Sequence, residues 1–277
     1  MVSSADEVSR ALRGTALEGM PIREDDGGVL TIERVDPARL LESWRAARQA
    51  LSRTGRWPLA VAPEWHTGFG HTSSEALAAV EAEIPHMADS RVFPRWVNEV
   101  ATGQEVWHDF LEHHFPGAGL ADAMAGELPD PVLDDDVDRW LFERLMAAPS
   151  LVASLEDGLR PLIGPQAWFR PTSVDLALLP TSSPWLAGAV LDYYGAESDP
   201  HGLVAALQRW NTAWDAELVA SWGTMLQLTV GRRPRAGEEA WELAGQLLAR
   251  AGSLQMPRWQ LALVVVRSDT WFLHDRP

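Results

Sequence analysis

The sequence predicts an α/β protein of the α+β type: a mixed sheet with helices packed against it, preceded by an N-terminal α/β and helical region. Three observations carry that expectation. Apolar residues recur at helical spacing after Asp36, after His201 and after Glu238. Short β-branched or continuously apolar runs stand at 29–32, 57–62, 174–179 and 225–230. Glycine, proline and aspartate separate the two kinds of segment, as turns require.

Taken in order, Glu24-Asp25-Asp26-Gly27-Gly28 is a turn and residues 29–32 a strand. Asp36 and Pro37 stand where a helix cap and first turn belong. Leu40, Leu41, Trp44, Ala47 and Leu51 then share one helix face, and Gly55 ends it. Residues 57–62 read as a buried strand with its proline near the start, which completes a β-α-β order. Thr72-Ser73-Ser74-Glu75 matches a capping box opening a helix over 73–82. A further amphipathic helix is predicted over 98–115. Asp134-Asp135-Asp136 caps another, containing Trp140, Leu141, Leu145 and Met146.

The Gly- and Pro-rich stretch 158–171 is the expected boundary between regions 1–160 and 172–277. Beyond it, strands are predicted at 174–179 and 186–194. A helix follows over 201–214 with Leu203, Leu207, Trp210 and Trp214 on one side. Residues 217–222 and 225–230 form a hairpin around Gly223, and 238–250 form a helix with Trp241, Leu243, Ala244 and Leu248 inward. Residues 259–267 fit either strand, by the Val264-Val265-Val266 run, or helix, by length and spacing. Residues 270–273 form a last strand.

Composition excludes several chemistries. The chain has 277 residues, 46% hydrophobic, which is enough for a full core. No apolar run approaches the ~18 residues of a membrane span, and the first residues lack a signal-peptide core, so the expected location is cytoplasmic. There is no cysteine, hence no disulfide, thiolate nucleophile or cysteine-ligated metal. There is no lysine either: all 23 basic residues are arginine. Schiff-base chemistry, covalent pyridoxal phosphate and a Walker lysine are therefore excluded. No cofactor is expected.

The net charge of −16 is uneven: residues 1–171 carry 15 arginines against 28 acids, and 172–277 carry 8 against 11. Between Trp96 and Asp138 eleven acids stand with no arginine. Such a field repels nucleic acid and suits a basic partner.

From 186 to 277 the chain resembles the bacterial domain-of-unknown-function 4253 family. The resemblance rests on Ala206-Leu207-Gln208-Arg209-Trp210-Asn211, on Ala216-Glu217-Leu218-Val219-Ala220-Ser221, on Arg233-Pro234, Ala240 and Ala244, and on the terminal Trp271-Phe272-Leu273-His274-Asp275-Arg276-Pro277. It implies a helix–hairpin–helix order with a tryptophan-centred last strand. Gly55-Arg56-Trp57-Pro58-Leu59 is similar, more loosely, to the upstream region of members. Departures include Asp215-Ala216-Glu217, where Gly-Ala-Glu is usual. The family brings no catalytic residues.

Four constellations are candidates for function. Glu64, Trp65, His66 and His71 lie in a glycine-containing loop after a strand, a place where α/β proteins bind ligands and where imidazole serves as general base. His108 and Glu112, like Asp109 and His113, stand four apart on a helix, a weak metal-ligand spacing that fits no known motif. Asp134-Asp135-Asp136-Val137-Asp138 fails as an EF-hand, since Arg139 and Leu145 occupy the positions of the glycine and the glutamate. The fourth set is aromatic and acidic: Trp185, Tyr193, Tyr194, Trp210, Trp214, Trp222 and Trp271 with Glu217, His274 and Asp275. Fourteen tryptophans exceed what a core fully buries, so some are expected to line a groove or interface. Ser182, Ser183 and His201 stand without a nucleophile elbow.

The leading expectation is a non-enzymatic binding or interaction module, an acidic immunity-type partner of a basic protein. The alternatives are a histidine-dependent hydrolase or metal-assisted enzyme, and a small-ligand sensor using a tryptophan-lined groove.

Overall fold

The computed structural model describes residues 4–63, 69, 73–94, 100–191, 193–196 and 199–276. The strands are β1 (Ile22–Glu24), β2 (Leu30–Val35), β3 (Trp57–Val61), β4 (Ala101–Thr102), β5 (Val132–Leu133), β6 (Val174–Leu179), β7 (Ala216–Ser221), β8 (Met225–Val230) and β9 (Thr270–His274). The helices are α1 (Ala5–Ala11), α2 (Leu40–Gln49), α3 (Leu51–Thr54), α4 (Ser74–Glu83), α5 (Asp89–Val92), α6 (Gln104–His114), α7 (Leu120–Glu127), α8 (Asp134–Ala147), α9 (Pro149–Ser154), α10 (Glu156–Leu159), α11 (Pro200–Trp214), α12 (Glu238–Leu248) and α13 (Arg258–Val265).

Seven strands form one mixed sheet in the order β1-β2-β6-β3-β7-β8-β9. Among the described strands only β3 and β7 run parallel, with Ala60 beside Ala220 and Val61 beside Ser221. The other neighbours are antiparallel. Every residue of β3 and β6 is buried, which is why both read as continuous apolar runs rather than alternating ones. The expected boundary at 160–172 does not divide this sheet: β6, which follows it, lies between β2 and β3, which precede it.

Local chemistry explains the element ends. Asp36 accepts the main-chain N–H of Ala38, and Gly55 stops α3 in the left-handed conformation that glycine adopts without strain. Ser73 caps α4 by accepting from Ala76 at 3.2 Å. Trp44 lies across the sheet with its indole N–H on the carbonyl of Pro58, 2.9 Å away.

Two expectations change and one open reading is resolved. Residues 186–194, expected as a strand, contain 3-10 turns at Leu186–Ala189 and Tyr194–Ala196. That apolar run is buried by α11 and not by a ladder; a Cβ on Gly188 would stand 2.7 Å from Leu207 Cδ1. The ambiguous 259–267 segment is α13, a helix apolar on nearly all sides because α8 and α12 enclose it. The helix expected from 98 begins at Gln104, because Ala101 and Thr102 pair with Leu133 and Val132 instead. No helix among the described residues is long and apolar enough to cross a membrane.

Candidate functional site

The two-residue ladder β4–β5 organises the arginine-free stretch. Asp134 N donates to the carbonyl of Val100 at 3.0 Å, extending the pairing by one step. The Asp134 carboxylate accepts from the Thr102 hydroxyl at 2.8 Å and from the Trp107 indole N–H at 3.1 Å. The start of α8 is thereby tied to β4 and α6. Leu111 and Phe115 turn inward. Val106 turns out.

The result is a small lobe with an unusual surface. Val100, Val106 and Leu133 are 58%, 57% and 40% exposed, and they are the exposed large hydrophobic residues among those described. All three lie around this one ladder. Glu105, Asp109, Glu112, Asp122, Asp130 and Asp136 are exposed on the same stretch, and among the described residues none is paired with an arginine. Glu127 differs: it takes the Trp140 indole N–H at 2.9 Å and pairs with Arg144, and these two hydrogen bonds hold its carboxyl below the usual range.

Asp138, the last acid of the run, is buried. It accepts the main-chain N–H of Arg258 at 2.7 Å, at the start of α13. Burial pushes its carboxyl up to about 7, opposed by that hydrogen bond and reinforced by Asp135 and Asp134.

The C-terminal candidates separate into groups. Tyr193, Tyr194, Trp222, His274 and Asp275 meet at one end of the sheet, around the β7–β8 turn. Tyr194 N donates to Gly223 O at 3.1 Å, Trp222 N to Met225 O at 2.9 Å and Asp275 N to Thr224 O at 2.9 Å. Tyr193 is buried and donates its hydroxyl to Arg250 O at 3.0 Å. Burial pushes its phenol above the ordinary range. Burial also lowers His274. Gly195 is required there: a Cβ would lie 2.7 Å from the Tyr193 ring and 2.9 Å from Asp275 Cβ. Glu217 stands at the other end of β7, ion-paired with Arg48 at 2.6 Å, while Arg48 lies 4.9 Å over Trp57. Trp185 is half-buried before the 3-10 turn that packs on α4 and α11.

Of the first constellation, Glu64, Trp65, His66 and His71 lie outside the described residues. In sequence they follow β3, whose last residue Val61 neighbours Ser221, the last of β7. His108, Glu112 and His113 are exposed on α6, with His108 Nδ1 3.9 Å from Asp109. Among the described residues, no group of three or more histidines and carboxylates comes together as a metal site. Ser183 and His201 bond to different carboxylates, Glu81 at 3.4 Å and Glu83 at 2.7 Å.

Sequence reasoning missed one polar network. Arg91 bridges Glu83 and Asp199 at 3.2 and 3.0 Å, and Asp199 caps α11. The Arg250 guanidinium, buried, donates to the carbonyls of Val92 and Arg91 at 2.7 and 2.8 Å. The only signal for it was a set of charges scattered over 83–250, which no local pattern connects. Beside it, Trp210 and Trp214 line an open cavity of about 520 Å³ with Phe93, Arg209, Glu242 and Arg258. Arg209 is already paired with Asp89 and donates to Met87 O at 2.6 Å.

These features describe a mixed-sheet α/β protein with an acidic, partly apolar lobe beside it. Residues 175–275, running from β6 into the end of β9, carry the Domain of unknown function (DUF4253). Comparison with curated proteins and with solved structures found no match. The matched segment supplies β6 and β7 but not β3, which lies between them.

Proposed function

We propose that this protein is a non-enzymatic binding module whose acidic lobe captures a basic protein, as an immunity protein captures its toxin. The observation that carries the reading is the coincidence of Val100, Val106 and Leu133 with an arginine-free rim of carboxylates. Unpaired acids steer a basic surface to the lobe and discriminate against acidic ones. The three apolar side chains provide a desolvated centre, the part of an interface that holds a complex once formed.

The test is affinity capture by the immobilised full chain from a lysate of the organism that makes it. A parallel capture uses the chain carrying Glu105→Arg, Asp109→Arg and Val106→Asp. The proposal expects a basic protein that is retained by the first, released by salt and absent from the second. Recovery of the same proteins by both chains, or retention indifferent to salt, would overturn it.

A further inference from the structure

A second site lies in the DUF4253 segment and its cover. A cavity of about 230 Å³ is walled by Trp168, Leu247, Met256, Leu261, Val264 and Trp271. Among the described residues its lining has no ionisable group; besides the indoles of Trp168 and Trp271, the polar side chains there are Gln255 and Thr270. Its cover, the segment 160–168, is pinned at two points, one in the turn before β9 and one in β9 itself. Gly164 N donates to Ser268 Oγ at 3.0 Å, and the Trp168 indole N–H donates to Trp271 O at 3.2 Å. The wall is therefore built in place, not assembled by a ligand.

Volume and lining together restrict the occupant. The pocket opens to solvent and its lining is mainly apolar, the setting in which burying an apolar ligand is favourable. An apolar cavity of 150 Å³ accommodates benzene; by proportion this one accommodates roughly nine heavy atoms. A charged ligand would lose its hydration with no counter-charge in the lining. The hydroxyl of Thr270 is already in contact with Ser268 Oγ, at 3.2 Å. Gln255, exposed and in the left-handed region at φ 35°, remains at the mouth to meet a polar end.

We infer that this cavity binds an uncharged amphiphile of about eight to ten heavy atoms, with its hydrocarbon part between Trp168 and Trp271 and a hydroxyl or carbonyl at Gln255. The site is independent of the acidic lobe.

The experiment titrates the full chain with straight-chain primary alcohols from hexanol to dodecanol, and with the matching carboxylates, by calorimetry and thermal unfolding. Affinity should peak near octanol or nonanol, with a negative heat-capacity change and a raised Tm, and each carboxylate should bind more weakly than its alcohol. Val264→Phe narrows the cavity from α13 and Ala167→Leu from the cover. Each should weaken the best alcohol about tenfold or more while far-UV circular dichroism stays unchanged. If Val264→Phe does not fold, Ala167→Leu decides alone. Absence of binding by every alcohol, or equal binding by wild type and Ala167→Leu, overturns the inference, as does tighter binding of the carboxylates.

Discussion

The carboxylate of Asp138 takes the main-chain N–H of Arg258 at 2.7 Å, joining α8 to the first turn of α13 across 120 positions of sequence. In the sequence Asp138 is one of four aspartates at a helix start, indistinguishable from its neighbours. In the fold it is buried, and its carboxyl is pushed up to about 7. The contact fastens the helix that carries the acidic lobe to the DUF4253 segment.

That raised carboxyl sets a sign. An unfolded aspartate titrates near 4. Between about pH 4 and 7 the folded chain holds a proton at Asp138 that the unfolded chain has lost. Its contribution is full below the unfolded value and is lost as pH rises through about 7, a change on the order of 4 kcal/mol. Denaturant titrations across this window should show Asp138→Asn, which keeps an acceptor for Arg258 N–H, with a flatter pH dependence than wild type. Equal slopes would remove Asp138 as the cause.

Arg250 is 6% exposed and holds two carbonyls and Asp199. Arg250→Met is close in volume but removes the donor from both carbonyls, while Asp199 keeps Arg91 and the Gly202 N–H. A loss of about 3 kcal/mol is expected in urea unfolding, in line with breaking a buried, hydrogen-bonded charge. A loss below about 1 kcal/mol would mean that water satisfies the site.

At Gly188 a single methyl would meet Leu207 Cδ1 at 2.7 Å. Gly188→Ala should therefore cost about 1–3 kcal/mol by overpacking, and the double variant with Leu207→Ala should lose less than the sum of the two single variants. Thermal unfolding of both single variants and the double variant checks this. Simple additivity would show that α11 shifts freely.

A fragment 172–277 should not form the native sheet, because it lacks β3 between β6 and β7. Near-ultraviolet circular dichroism, sensitive to packed tryptophan, should show little signal for the fragment and a strong one for the full chain. A fragment with native-like near-ultraviolet signal and cooperative unfolding would contradict this.

Much of the secondary structure was legible because its determinants are local. Asp36 and Pro37, Gly55, Gly223 and the Leu203-Leu207-Trp210 spacing are each interpretable within one or two turns of chain. One misread segment and one left open share a cause. Residues 186–194 and 259–267 are mostly apolar, and burial by neighbouring helices leaves no periodicity to distinguish helix, strand or 3-10 turn. The tryptophan surplus also resolves through burial: Trp57, Trp210, Trp222 and Trp271 are core, with 2% exposure for Trp222. The arginine-free stretch was visible in sequence, but the outward placement of Val100, Val106 and Leu133 depends on the two-residue β4–β5 ladder.

By itself the sequence determined which chemistries are excluded, where the acid is concentrated, and which segments are helix or strand when their own residues alternate or cap. Those are properties of composition and of neighbours along the chain. Only the tertiary structure decided that β6 enters between β2 and β3, that Asp138 is buried, and that Trp168 and Trp271 face one cavity. Each of these depends on the pairing of segments about a hundred residues apart, and burial and strand neighbours come into being only when those segments meet.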